Sequence, residues 1–312
     1  MTPRAVTLLI YNRPECTRRA FECIKAARPT HLLVSADGPR TDADRASCQA
    51  AREAATAVPW PCELITNFSE TNRGCDPAMI RGITWALEQV GESIVIEDDC
   101  LASPEFFPFA WAMLDRYRDD DRVMHISGEN YFPAASANAE SYYFSRYALS
   151  WGWATWRRSW THFDPELTGW RALLDGPLAH SLFDSPEEEE YWLPLLRTAL
   201  DAPRPFHCDY LWYAACWLNS GLAIHPRVNL VSNIGGGDAA THAREMGALA
   251  DRPWGTLGAL VHPSSMVRDR AADAATFDHR FPGAYLRRRK TLGYRLTLPA
   301  RKLKRWLFDR SK

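Results

Sequence analysis

Three carboxylates stand side by side in the stretch SIVIEDDC, at Glu97, Asp98 and Asp99, directly after the aliphatic run Ile94, Val95 and Ile96. Such a run reads as a buried strand, which puts the acids at the mouth of a core element. There, like charges repel one another and lose hydration, an arrangement that calls for a positive partner. Hard carboxylate oxygens suit Mg2+ or Mn2+, which bind through one or two carboxylates together with the phosphates of a substrate. A cation held in this way takes up the charge that grows on a departing diphosphate. The plainer alternative is a solvated turn followed by acids at the start of a helix.

Two other strand ends carry polar signatures of the same type. The run 6–11 leads into Asn12-Arg13, and the run 31–36 leads into Asp37-Gly38. Trp151 and Trp153 flank Gly152, and an aromatic face there would stack on the C–H side of a sugar ring. Trp156 and Trp160, four residues apart, read as the buried stripe of a short helix. The eight cysteines include no C-x-x-C pair and no zinc-finger spacing with histidine, and most sit in apolar patterns as small hydrophobes.

The elements that must position these residues alternate through the first hundred positions. Strands are expected over 6–11, 31–36, 62–67 and 93–96, with helices to about residue 27 and over 42–58 and 76–90. Ser103, Pro104 and Glu105 read as N-cap, N1 and N2 of the next helix. Repeated β-α-β units with continuously apolar strands imply a parallel sheet covered on both faces, with ligands beyond the carboxyl ends of its strands. The second half mixes strands over 123–127, 142–145 and 223–231 with helices over 186–200 and 209–219. The acidic run Glu187 to Glu190 reads as a solvated helix face matched to the dipole.

With 312 residues, 46% hydrophobic composition and a formal net charge of −1, the chain is an ordinary globular protein, neither polyanion nor polyanion binder. No apolar run is long enough to cross a membrane, and the N-terminal residues are too polar for a signal peptide, which together point to the cytoplasm. From Tyr285 to Lys312 there are eleven Lys or Arg against one acid, Asp309. Leu303, Trp306, Leu307 and Phe308 interleave with these charges, the pattern of a basic amphipathic helix on the inner, anionic membrane face. Nucleic acid is not expected, because no binding motif accompanies the charge.

Several segments together resemble a known family. VTLLIYNRPE is similar to a first strand and nucleotide-contacting turn, SADGPR to a second-strand Asp-Gly, and NRGCDPAMIRGITWAL (residues 72–87) to the helix start that follows. IVIEDDC falls where a DxD-type metal motif would stand, and CDYLWYAACWLNSG (residues 208–221) is similar to an acidic E-D motif, with Cys208 in place of the usual Glu. In this order they resemble GT-A-type nucleotide-sugar glycosyltransferases, especially bacterial family-2-like and N-acetylglucosaminyltransferase-I-like members, from about residue 6 to 242.

The resemblance implies an α/β GT-A (Rossmann-like) fold, with a mixed, mainly parallel sheet flanked by helices. Residues 1–283 would form the transferase domain, 1–125 its nucleotide-binding half and 126–283 its acceptor half, with 284–312 a basic tail. Tyr11, Asn12 and Arg13 would contact the nucleotide and Asp37 its base, Glu97 or Asp98 would face the ribose, and Arg73 and Arg81 would assist at the phosphates or base. Asp99 would bind Mn2+ or Mg2+, with His242 as a further ligand. Asp209 would be the general base of an inverting reaction, and Trp151, Gly152 and Trp153 would shape the sugar or acceptor pocket. The implied activity moves one sugar from a nucleoside-diphosphate sugar to a hydroxyl of a glycan or lipid-linked acceptor in cell-surface polysaccharide assembly. The Q-x-x-R-W motif of processive synthases is absent, which favours single addition. A sugar-phosphate nucleotidyltransferase would want a glycine-rich loop where the chain has Tyr11-Asn12-Arg13-Pro14, and a non-catalytic glycan-binding scaffold at the membrane is the other rival.

Overall fold

The structure, a computed structural model, describes residues 3–131, 140–202, 207–235 and 249–291. In chain order its elements are β1 (Ala5–Ile10), α1 (Pro14–Ala27), β2 (His31–Ala36), α2 (Arg45–Thr56), β3 (Glu63–Phe68), α3 (Cys75–Val90), β4 (Glu92–Glu97) and β5 (Cys100–Ala102). There follow α4 (Phe106–Arg116), β6 (Val123–Ser127), β7 (Tyr142–Ser145), β8 (Trp153–Trp156), α5 (Arg157–Trp160), α6 (Trp170–Asp175) and α7 (Pro186–Asp201). The last are α8 (Cys208–Leu218), β9 (Leu222–Pro226), β10 (Val231–Asn233), α9 (Arg270–Arg280) and α10 (Gly283–Lys290).

Eight strands form one sheet in the order β3-β2-β1-β4-β8-β6-β9-β7. The pairs β3–β2, β2–β1, β1–β4 and β6–β9 are parallel, and β4–β8, β8–β6 and β9–β7 are antiparallel. The expected mixed, mainly parallel sheet flanked by helices is therefore what the chain forms. Period-two alternation sorts the central strands onto two cores. Leu8, Ile10, Ile94 and Ile96 join the core under α1, α2 and α4, whereas Leu9 and Val95 join the one under α3 and α8. From β1 the chain winds outward to β2 and β3, then returns to place β4 on the other side of β1. The carboxyl ends of β1 and β4 thus diverge at a topological switch point, where such sheets leave a crevice.

Several local expectations shift. Ser103 is not an N-cap: α4 starts at Phe106, Ser103 carbonyl accepts the Phe106 N–H in a preceding turn, and its hydroxyl is buried without a hydrogen-bond partner. Trp156 ends β8 rather than sharing a helix with Trp160, because β8 inserts antiparallel between β4 and β6. The run expected as one strand over 223–231 is split into β9 and β10, and β10 leaves the large sheet to pair with β5. The acidic start of α7 is not simply solvated. Glu188 is buried and accepts from Arg146 and from the Tyr147 hydroxyl, while Glu187 and Glu190 pair with Lys290 of α10. Arg289 also pairs with Glu190, and Arg287 with Asp278, so the first basic residues after the sheet domain are neutralised within the chain. Tail residues 292–312, with Trp306, lie outside the described residues.

Aromatic rings fill the second core. Trp192 is fully buried with ring centroids of Phe281 at 4.8 Å, Tyr191 at 4.9 Å and Trp217 at 5.1 Å. Its indole N–H is buried without a hydrogen-bond partner. Trp192→Ala is therefore expected to lose about 3–5 kcal/mol of stability. Trp192→Phe, which removes the unsatisfied donor but keeps most of the ring, should lose about half of that or less. Urea unfolding of the two variants would contradict this packing if they proved equally unstable.

Candidate functional site

The parallel register of β1 and β4 places Leu9 opposite Glu97, so the two chains leave the sheet side by side. One carries Tyr11, Asn12 and Arg13, and the other carries Asp98 and Asp99. Arg13 precedes α1, and its carbonyl accepts both the N–H and the hydroxyl of Thr17, which fixes the start of the side chain. Its guanidinium then spans both acids. Nη1 donates to Asp99 Oδ2 at 2.9 Å, Nη2 to Asp98 Oδ1, and Nε to Asp98 Oδ2 at 3.4 Å. The positive partner that the acidic triplet requires is thus a planar donor fork on the neighbouring strand.

The triplet is not titrated uniformly. Burial pushes the Asp98 carboxyl up to about 6, against the opposing pull of Arg13. Glu97 lies well above the ordinary carboxylate range, through burial first and then the charges of Asp99 and Asp98. Asp99 is held from the other side by β10. Its Oδ1 accepts Asn233 Nδ2 at 3.1 Å, its carbonyl accepts the Ile234 N–H at 2.8 Å, and Asn233 Oδ1 accepts the Gly235 N–H at 2.7 Å. A Cβ on Gly235 would sit 2.3 Å from Asp99 Oδ2, so only glycine passes this carboxylate.

Asp37, at the end of β2, organises the opposite wall. Its carboxylate accepts the N–H groups of Gly38, Arg73 and Gly74 and the Asn72 amide, at 2.8–3.2 Å. Gly38 is required there, because a Cβ would stand 2.4 Å from the Thr71 backbone. Asp37 therefore holds the 72–74 loop that starts α3, a job the sequence does not announce. Arg81 donates to Asn67 Oδ1 at 2.8 Å, and Arg73 Nε to Ser69 Oγ at 3.2 Å.

Between these walls lies a cleft of about 530 Å³, a size suited to a small organic ligand. Tyr11, Asn12, Arg13, Asp37, Arg73, Arg81, Glu97 and Asp98 all line it, with Arg40 as a further cation. Asp99 stands behind Asp98 and does not line it. Asp209 is on the first turn of α8, which is pinned to α3 by the Cys208 N–H donating to Asp76 Oδ1 at 2.9 Å. Its carboxylate accepts the Tyr210 N–H at 2.9 Å, and its charge reaches Glu97 and Cys75 at the end of the cleft. Burial raises the Asp209 carboxyl above its usual range, with Arg280 the strongest neighbour pulling it back.

The aromatic segment departs from expectation. Trp153 is a core residue, 3% exposed and stacked on His125 at 4.9 Å, so its faces are already used. His125 is itself fixed between the Trp212 indole N–H at 3.1 Å and the Leu149 carbonyl at 2.9 Å. Gly152 supplies a carbonyl to the Gly128 N–H at 2.7 Å. Trp151 is half-buried, with the Arg280 guanidinium over its ring at 5.4 Å. Its backbone N–H donates to Glu129 Oε2 at 2.8 Å, and the Tyr131 hydroxyl donates to Glu129 Oε1. Burial pushes the Glu129 carboxyl up to about 7. Sequence reasoning passed over Glu129, although Gly128-Glu129-Asn130 follows a strand as the other polar signatures do. Arg280 and Asn233 had no comparable signal.

Among the described residues, no group of three His, Cys, Asp or Glu side chains is arranged to hold a metal. His242, expected as a ligand with Asp99, lies outside the described residues. The donor set of Asp98 and Asp99 is nevertheless that of a hard cation. In the structure Asp99 Oδ2 is taken by Arg13, so a cation would bind in exchange for the guanidinium.

No protein-family model matches the sequence, and no curated protein matches it. Several solved structures are similar to it. A mannosyltransferase of Pyrobaculum calidifontis, in complex with GDP-Man and Mn2+, is 13% identical with a TM-score of 0.40, over 70% of this chain and 70% of that one. TarS residues 1–349 of S. aureus is 15% identical with a TM-score of 0.38, over 72% of this chain and 57% of that one. Mouse xyloside xylosyltransferase 1 is 10% identical with a TM-score of 0.34, over 68% and 80%.

Proposed function

We propose that the chain binds a nucleoside-diphosphate sugar in the cleft and transfers the sugar, with inversion, to a hydroxyl of a glycan or lipid-linked acceptor. The observation that carries this reading is Arg13 bridging Asp98 and Asp99 at the switch point, on the wall of a cleft rich in arginine. Arginine forks suit phosphate oxygens, and Arg13, Arg40, Arg73 and Arg81 give the cleft four. Base and ribose would lie against Tyr11, Asn12 and the loop held by Asp37, with Glu97 or Asp98 toward the ribose. The diphosphate would lie toward Arg13.

Asp209 is the proton acceptor in this reading. A half-buried carboxylate with a raised pKa is a stronger base than a free one, and it stands beyond Glu97, where an acceptor hydroxyl would approach. Mn2+ or Mg2+ would be held by Asp99, with His242 as second ligand, and would supply positive charge to the leaving diphosphate. Arg13, released from Asp99, would then be free to turn to a phosphate oxygen. The tail beyond residue 291 would bring the enzyme to the inner membrane face, where lipid-linked acceptors of surface polysaccharide are found.

Two measurements test this. Asp209→Asn is expected to slow transfer by about 10²-fold or more while leaving the Kd for the nucleoside-diphosphate sugar within about threefold, measured by calorimetry. Full turnover in that variant would remove Asp209 from the mechanism, and loss of donor binding would move it into the binding wall. Arg13→Gln is expected to bind Mn2+ at least about tenfold more tightly in the absence of nucleotide, because a competing positive charge has left the same oxygens. Electron paramagnetic resonance of free Mn2+ reads this directly, and equal affinities would exclude the exchange of cation for guanidinium.

A further inference from the structure

Strand register locates a second cluster of charge on the rim beside the cleft. β8 pairs antiparallel with both β4 and β6, so the carboxyl ends of β4 and β6 lie on one rim. Trp153 stands opposite Val95 on one side and Ser127 on the other. Carried on by two residues, the same register brings Trp151 level with Glu129 and with Glu97, which lines the cleft. Toward β6 it does carry on: the Gly128 N–H donates to the Gly152 carbonyl, and the Trp151 N–H to Glu129 Oε2. Neighbouring strands lie about 4.8 Å apart, so Trp151 stands about one strand spacing from the cleft lining. Arg280, at the end of α9, holds its guanidinium 5.4 Å from the Trp151 ring centroid and 5.3 Å from that of Phe281. The Tyr131 and Trp151 ring centroids are 6.3 Å apart, and Arg252 lies 4.9 Å over Tyr131. One aromatic pair on the rim therefore carries two cations.

The two arginines differ in what their N–H groups meet. Arg252 Nη2 donates to the Asn130 carbonyl at 3.1 Å. Arg280 is half-buried, yet among the described residues no hydrogen bond or ion pair takes any of its donors, and none of its nitrogens is sealed from solvent. The nearby acids are committed elsewhere. Both Glu129 oxygens accept, from the Trp151 N–H and the Tyr131 hydroxyl, and Asp278 pairs with Arg287. A ring contact engages the charge of a guanidinium but gives its five N–H groups no oxygen to meet. A planar fork left open in this way matches the paired oxygens of a phosphate or carboxylate. We propose that Arg280, held against Trp151 and Phe281, is the receptor for an oxyanion, phosphate or carboxylate, carried by the sugar acceptor, with Arg252 as a second cation beside it. The proposal rests on the reading of the cleft as the donor site. There Arg13, Arg40, Arg73 and Arg81 are available to the donor diphosphate, whereas Arg280 stands outside the lining, on the β6 side of Glu97. An anion bound to Arg280 therefore belongs to the other substrate. A neutral glycan would leave the fork unfilled, so the acceptor class is an acidic or phosphate-bearing glycan or lipid-linked sugar.

The experiment is an NMR titration of the full-length protein labelled with nitrogen-15 arginine, read at the Arg280 Nε–H resonance. That resonance is assigned by its loss in Arg280→Gln or, should that variant not fold, in Arg280→Lys. The probes are glycerol phosphate, glucuronate and, as a neutral sugar, glucose. Glycerol phosphate or glucuronate is expected to shift the resonance saturably, with half-saturation at roughly 10 mM or below, and glucose to leave it in place. Whichever anion binds more tightly separates a phosphate-bearing acceptor from a uronic-acid one. The shift should persist with UDP or GDP present, because these fill the cleft instead. Arg280→Gln is expected to weaken the calorimetric affinity for the preferred anion by at least about tenfold. No shift with either anion, an equal shift with glucose, or loss of the shift on adding UDP or GDP would overturn the proposal; the last would make Arg280 part of the donor site. A saturable anion shift in a protein that binds neither UDP nor GDP would keep the oxyanion site while refuting the cleft as the donor site, so the two failures are distinguishable.

Discussion

The contact on which the site depends is the Arg13 fork across Asp98 and Asp99. Without it, two buried carboxylates would stand unpaired at the end of the central strand, and breaking a buried pair of this kind costs about 3–5 kcal/mol. With it, the ends of β1 and β4 are tied together across the switch point, and the first turn of α1 is fixed relative to the sheet. Three donor nitrogens of Arg13 are already engaged by these two carboxylates, so in the proposed function the guanidinium must leave Asp99 before it can meet a phosphate.

Around that contact the protein builds two regions with different physics. The wall from β2 and α3 is polar and internally satisfied: Asp37 consumes backbone N–H groups, and Gly38 lets the loops touch. The region of α8, α9 and the β6 end, outside the lining of the cleft, is aromatic, with Glu129 buried in it and Asp209 and Arg280 half-buried. In such surroundings, with little water, each charge acts strongly on its neighbours. That explains why carboxylates of one chemistry differ so widely: Glu97 and Asp209 rise through burial, while Asp98 is moderated by the arginine on top of it.

The strap formed by β10 and the following glycine shows how a small ribbon can matter to a large sheet. By pairing Asn233 with Cys100 it brings a side-chain amide onto Asp99 and points the chain past the acidic triplet. The split between β9 and β10 is what allows this. A single continuous strand over 223–231 would have stayed between β6 and β7, away from the carboxylates.

Much of the first half was legible in the residues alone. Local patterning places β1 to β4 within a residue or two, because β1, β2 and β4 are built around buried aliphatic runs, while β3 is a more exposed edge strand. The polar ends of β1, β2 and β4 follow from the same pattern, since a parallel sheet collects its strand ends on one rim, and the residues expected to meet a nucleotide do line one cleft. What sequence could not decide were pairings between distant segments. That Arg13 meets Asp98 and Asp99, that Trp153 is spent on His125, that β8 inserts between β4 and β6, and that Arg280 lies over Trp151 all depend on long-range packing. Such contacts join residues tens to hundreds of positions apart, and nothing in a local window reports them. The sequence by itself determined the alternation, the strand ends and the kind of charge at each; the tertiary structure alone decided which charge faces which, because burial and distance, not residue type, set that balance.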